Sequence, residues 1–425
     1  MKKILVISWF YPPENSSEGL VTFKLINNSR FEYDVFTQSK NENWSYGMNM
    51  LFPNRENVHV FFGESRTLDK WKEEAFRFFE DHKKEYDCVM TRSMPPESHE
   101  VGLQIKKAYP DTRWIASFGD PIKNFPYQHI DGSLYSVHSM HNLINRDKGF
   151  RYMISPKRVL KDLWWNHKHE DMVKYRKRLS TIEENTLAQA DKVIFNNLSQ
   201  QRHMVKTEEI QKKAVIIRHS FDNQLYQDLT EQDQSQKKKI RFVFIGELNY
   251  MRSALPLLEA IKKLNDVTKD VAEKAEFLFY GKMPDRDLAF IMKNHLQDCI
   301  KYKDPISYAE SLRVAVQADW LMHFDADIGK ATDENIFFAG KIADYFGAGT
   351  PIIAVTMSSG DVADELRKAG MLVLSFSASE IQEYLYLIIY KGYHLEPERD
   401  YIQNYSAEQV AKVFDHMVVE QLVLR

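Results

Sequence analysis

Cysteine is nearly missing from this chain: its 425 residues hold two, Cys88 and Cys299. They lie far apart beside apparent strands, so buried free thiols in a reducing compartment are expected rather than a disulfide framework. Long apolar runs are missing too, and none reaches the ~20 residues that a membrane-crossing helix needs. Met1-Lys2-Lys3 followed by Ile4–Phe10 imitates a leader peptide, but the apolar stretch is short and meets Pro12-Pro13 without a small-residue cleavage site. A cytoplasmic chain is expected, touching a membrane at most through its surface. Charge of one sign is absent: 57 basic and 60 acidic side chains leave a net −3, which gives no reason to expect a nucleic-acid partner.

Several chemical signatures are also lacking. The loop after the first apparent strand has no G-x-G-x-x-G, which disfavours a dinucleotide site. His167-Lys168-His169 and His323-Phe324-Asp325-Ala326-Asp327 lack a matching ligand pair at metal-binding spacing, so no metal or other cofactor is expected. No serine or cysteine sits in a nucleophile elbow.

What is present is alternation. Short β-branched apolar runs recur, each followed by a longer amphipathic stretch, the mark of α/β units with parallel sheets covered on both faces. The spacing predicts strands at Lys3–Trp9, Asp34–Thr37, Val58–Phe62, Asp87–Thr91, Arg113–Phe118, Lys192–Phe195 and Val215–Arg218. After a polar, charged interruption it predicts Ile240–Ile245, Glu276–Tyr280, Ile300–Tyr302, Trp320–Phe324, Pro351–Val355 and Met371–Phe376. The length exceeds what one core supports. The expected division is therefore a Rossmann-like domain over 1–222, a linker over 223–239, a second Rossmann-like domain over 240–400, and a terminal segment over 401–425 whose helix returns to the first domain.

The most informative stretch is Asp333–Val355, where Lys341 and Asp344 stand one turn apart near the start of a helix that ends at Gly347 and Gly349. Helix starts favour anions, because unpaired N–H groups and the dipole act together. Lys341 with the amides of Ala339 and Gly340 suits a diphosphate, and Asp344 suits ribose hydroxyls. Arg252, near the start of a helix over Leu255–Leu264, offers a bidentate guanidinium to phosphate. Gly246, Gly281 and Lys282 follow strands where backbone can approach a ligand. In the first half, loops carrying Ser17 and Gly19, Arg92 and Ser93, and Gly119 and Asp120 converge on the ends of parallel strands. The basic segment Pro156–Leu179, with Trp164, Trp165 and Tyr175, reads either as a membrane-surface helix or as a helix packed on the first domain with its cations solvated.

Taken in order, KILVISWFYPPENSSEG, TRSMPP, RWIASFGDP, LAQADKVIFNN, FIGELNYMRSALPLLEAI, ISYAESLRVAVQADWLMHFDAD and GKIADYFGAGTPIIAV resemble the retaining GT-B glycosyltransferases of the large bacterial "group 1" family. The resemblance implies two Rossmann-like domains facing a cleft, with a nucleotide sugar on the second and a glycan or lipid-linked glycan acceptor on the first. It implies a hexosyl transfer in cell-surface polysaccharide synthesis, a setting that would suit the inner-membrane reading of the basic segment over 156–179. Arg252 matches the family's diphosphate-binding base, and Asp344 the second acid of its E-x7-E signature. Ile336 stands where the first glutamate is usual, Lys341 follows a sub-pattern with lysine three residues before the acid, and Gly119 stands where many members carry histidine. The catalytic set so implied is Asp120, Arg252 and Lys341, with Asp120 positioning a hydroxyl rather than attacking. A sugar-nucleotide epimerase and a non-catalytic nucleotide- or glycan-binding scaffold remain the alternatives.

Overall fold

The computed structural model describes residues 2–14, 16–40, 54–122, 169–227, 229, 239–249, 252–329 and 332–423. It contains two wholly parallel sheets. The first comprises β1 (Lys3–Ile7), β2 (Glu32–Thr37), β3 (Val58–Phe62), β4 (Cys88–Arg92), β5 (Trp114–Ser117), β6 (Lys192–Phe195) and β7 (Ala214–Ile216), in spatial order β3-β2-β1-β4-β5-β6-β7. The second comprises β8 (Ile240–Ile245), β9 (Ala275–Tyr280), β10 (Ile300–Lys303), β11 (Trp320–Phe324), β12 (Ile352–Val355) and β13 (Leu372–Leu374), in order β10-β9-β8-β11-β12-β13. In each sheet the chain order reverses beside a central strand, β1 or β8. Ligand crevices of open α/β sheets lie at such points, beyond the carboxyl ends of the strands.

Strand alternation distributes the core. Ile4 and Val6 of β1 face one layer with Phe23 and Ile26, while Leu5 and Ile7 face the other with Trp71, Phe79 and Ile105. In β8, Phe242 and Phe244 pack on one side with Phe277, Phe279 and Phe324, and Val243 on the other with Ile342, Phe346 and Val362. Both faces are buried, which explains why the strands read as continuous apolar runs.

Four helices matter for the cleft. α1 (Ser17–Asn28) starts where the Ser16 side chain accepts from the Gly19 amide at 3.4 Å. α2 (His169–Gln189) contains the described end of the basic segment, and 156–168, with Trp164 and Trp165, lie outside the described residues. There Arg178 is tied to Glu97 and Glu100 at 3.0 and 2.6 Å. α3 (Gly340–Ala348) runs through Gly347 rather than ending there, and stops at Gly349, which takes the left-handed conformation at φ 68°. α4 (Ala407–Val423) returns to the first domain, placing Val410, Phe414, Met417 and Val418 in one cluster with Ile4, Val6 and Phe23.

Near the expected boundaries of 222 and 401, the chain crosses between the sheets at Phe221 and Ser406. Phe221 is buried in the second domain's cluster with Phe346, Ile402 and Tyr405, so the chain has already crossed by that residue. It crosses back at Ser406, and the two crossings bond to each other: Phe221 N donates to Tyr405 O at 3.0 Å and Ala407 N to Phe221 O at 2.7 Å. The expected linker begins with a 3-10 turn, Asn223–Tyr226, whose tyrosine hydroxyl donates to Asp344 O at 2.8 Å. Most of 228–238 lies outside the described residues.

Candidate functional site

Between the domains lies a cavity of about 400 Å³. The first domain contributes Ser17, Glu18, Val21 and Lys24 from α1, Gly119 and Asp120 after β5, and His219 after β7. The second contributes Arg252, Tyr308, Ala339, Gly340, Lys341 and Asp344.

The wall formed by the second domain brings together a helix start and two basic side chains, Arg252 and Lys341. Ala339 precedes α3 without a side-chain cap, so no capping side chain satisfies the first N–H groups of that helix among the described residues. The approach to this helix is fixed from behind by Asn335, which donates to Asp325 at 2.7 Å and accepts from Phe337 N at 3.0 Å. Asp325 also receives His323 at 2.9 Å and Thr356 at 2.7 Å. The Lys341 ammonium donates to Ile245 O at 2.9 Å and lies 4.4 Å from the centre of the Phe244 ring. Burial and the neighbouring Arg252 charge pull its pKa down to about 7, while Asp325 pulls the other way. Arg252 is fixed by a turn in which its N–H donates to Asn249 Oδ1 at 2.9 Å.

The first domain's wall is different. Asp120 has its pKa pushed up to about 7, chiefly by desolvation and then by the Glu18 charge, with Arg92 and Arg252 opposing. Glu18 lies against Gly119, where an added Cβ would come within 2.7 Å of its carboxylate. His219 is 6% exposed, and burial together with Arg92, Lys24 and Arg218 pulls its pKa down to about 3.

Several residues expected to meet a ligand are otherwise employed. Arg92 is buried in a fork with Glu18, at 2.8 and 2.9 Å, and donates to Ser117 Oγ at 2.9 Å. Ser93 is buried and accepts from Gly119 N at 3.1 Å, joining two loops rather than facing the cavity. Gly19 lacks room for a side chain because the Tyr11 backbone would sit 3.1 Å from its Cβ. Gly246, at φ 134°, leaves space for the Lys341 ammonium, and Gly281, at φ 126°, leaves space for the Gly246 carbonyl. Neither of these two lines the cavity. Lys282 is an exposed surface cation 3.5 Å from Glu247. Asp344 lines the cavity, but its Oδ1 already accepts from Lys24 at 2.5 Å and Tyr308 OH at 2.8 Å, so it ties the domains together instead of standing open to ribose. Arg218 with Asp361 and Arg202 with Glu334 add further ties across the same boundary. Ile336 is a buried apolar residue whose carbonyl accepts from Asn197 at 3.1 Å.

The residues missed in the sequence are Glu18, Lys24, Tyr308 and His219. Glu18, Val21 and Lys24 follow a three-residue spacing along one face of α1, a signal that was available. His219 follows β7 at the same distance as Asp120 follows β5.

Among the described residues no group of three His, Cys, Asp or Glu side chains is arranged to hold a metal, and no helix is long and apolar enough to cross a membrane.

No family model and no curated protein matches the sequence. Solved structures do match the architecture. The Candida albicans trehalose-6-phosphate phosphatase N-terminal domain superposes with a TM-score of 0.63 at 10% identity, covering 99% of this chain and 97% of that one. Anabaena HepE, solved in complex with UDP, gives 0.59 at 12% identity with 99% of both chains covered. The lipopolysaccharide outer core galactosyltransferase WaaB gives 0.59 at 10% identity, again over 99% of both. The chain therefore has the two-domain GT-B fold. Proteins of different names share it, so chemistry has to be argued from the cleft.

Proposed function

We propose that this protein transfers a sugar from a nucleoside-diphosphate donor to a hydroxyl acceptor, with retention of anomeric configuration. The observation that carries the reading is the division of one cavity: Arg252, Lys341 and the start of α3 on one wall, and Asp120 with Glu18 on the other. Cleaving a sugar–diphosphate bond requires charge stabilisation on the departing phosphate, and preorganised cations and amides supply it most effectively in a site shielded from water. In this reading Arg252 and Lys341 supply that charge. A pKa of about 7 leaves Lys341 only partly charged before the donor arrives, and the diphosphate then draws a proton onto it.

Asp120, facing this wall, accepts a hydrogen bond from a hydroxyl and holds it in line. In a retaining reaction the departing phosphate takes the acceptor proton from the same face, so no strong base is needed. The fold's match to HepE with bound UDP and to the galactosyltransferase WaaB supports a nucleotide sugar as the donor class. The acceptor is a glycan or lipid-linked glycan, the sugar a hexose, and the setting the cytoplasmic membrane face during cell-surface polysaccharide synthesis. Asp344 meets the ribose once Lys24 yields its place. The test is incubation with a panel of uridine, guanosine and thymidine diphosphate sugars and oligosaccharide or lipid-linked acceptors. Release of nucleoside diphosphate coupled to glycoside formation is expected; interconversion of sugars without transfer would instead show an epimerase.

A further inference from the structure

The cavity holds a buried imidazole that the scheme above does not use. Neither ring nitrogen of His219 has a hydrogen-bond partner among the described residues, although the side chain is 94% buried by its 6% exposure. The backbone at Phe338 favours its protonated form without reaching hydrogen-bond geometry. Leaving two polar nitrogens buried and unmatched is costly, and such groups in folded proteins are normally satisfied by something. Protein atoms hold the ring in place: Phe338 lies edge-on with centroids 6.3 Å apart, and Nδ1 is 3.6 Å from where a Cβ on Gly340 would stand. The imidazole is therefore seated beside the first residue of α3, at the wall that takes phosphate.

A phosphate is a poor match for this ring. Burial above all, with Arg92, Lys24 and Arg218 adding to it, holds the imidazole neutral, and a neutral imidazole carries one donor and one acceptor. A phosphate oxygen only accepts, whereas a sugar hydroxyl both donates and accepts. Building on the transfer reaction proposed above, we infer that His219 is a sugar-recognition residue, pairing with a hydroxyl of the hexose attached to the diphosphate that the α3 start holds. It supplies from β7 a contact on the side of the cleft where Gly119 offers no side chain.

The test is calorimetric binding of the best-binding nucleotide sugar from a panel of UDP-glucose, UDP-galactose, GDP-mannose and dTDP-glucose, beside its parent diphosphate. His219→Phe, which keeps ring bulk and removes both nitrogens, should weaken the nucleotide sugar about fivefold to tenfold, the worth of a net hydrogen bond or slightly more. The bare diphosphate should change less than twofold. His219→Gln, neutral with a donor and an acceptor, should retain most of the sugar's contribution. Should His219→Phe not fold, the unsubstituted protein still decides the question: the His219 imidazole nitrogen signals, assigned against His219→Gln, should move with the nucleotide sugar and stay with the diphosphate. Equal weakening of both ligands, or signals that move equally with both, would overturn the sugar contact while leaving the phosphate wall intact. Wild-type protein that binds no diphosphate at all would overturn both.

Discussion

The two walls of the cleft carry similar side chains and use them in opposite ways. On the first domain the cations are already spent: Arg92 is locked to Glu18 and Lys24 to Asp344. On the second, the Lys341 ammonium rests on a carbonyl and an aromatic face, and no salt bridge to it occurs among the described residues. An ion-paired cation has little left for a ligand, whereas a partly desolvated one gains from a diphosphate. Residue type alone thus does not separate an anion site from a domain tie; the pairing does.

The comparison can be broken most forcefully at the cationic wall. Arg252→Ala and Lys341→Ala should each lower turnover more than tenfold and weaken the nucleoside diphosphate, with thermal melting little changed. Asp120→Asn should lower turnover about tenfold while leaving diphosphate affinity within twofold, because that carboxyl faces a hydroxyl rather than the phosphates. Equal effects on diphosphate affinity from both walls would erase the distinction.

Proton linkage sharpens it further. Lys341 has its pKa held down to about 7 in the free protein, and a bound diphosphate raises it, so the bound state carries more protons above that pH. Diphosphate affinity should therefore fall as pH rises from 7 to 9, by up to about tenfold per unit. Calorimetry in buffers of different ionisation enthalpy should record proton uptake at pH 8. Lys341→Arg should remove that uptake.

Smaller effects test the scaffold beneath. Gly246→Ala puts a Cβ within 2.3 Å of the Lys341 ammonium at φ 134°, and should cost about 1–3 kcal/mol in chemical denaturation. Lys282→Ala, at an exposed pair, should change neither stability nor turnover measurably.

The sheets were legible because most strands are buried on both faces and announce themselves as apolar runs, the outer strands β3 and β10 being more exposed. The expected strand over Ile240–Ile245 matches β8 residue for residue. The α3 start and Asp120 were expected at the cleft and do line its cavity, since the loops after parallel strands face the crevice of an open sheet. Contacts across long stretches of chain were not. Arg92 meets a glutamate 74 positions earlier and Asp344 a lysine 320 positions earlier, and neither spacing has a local signature. Position at a strand end also says nothing of side-chain direction, which is why Ser93 and Lys282 were expected in a cleft they do not face. Gly281 reads as a ligand-approach glycine, yet its missing Cβ makes room for a neighbouring carbonyl.

The most direct measurement is a crystal structure with the tightest-binding nucleoside diphosphate. Its phosphate oxygens should lie within hydrogen-bond distance of the Arg252 guanidinium, the Lys341 ammonium and the first amides of α3. A diphosphate seated instead on Arg92 or Lys24, with Arg252 and Lys341 untouched, would contradict the account.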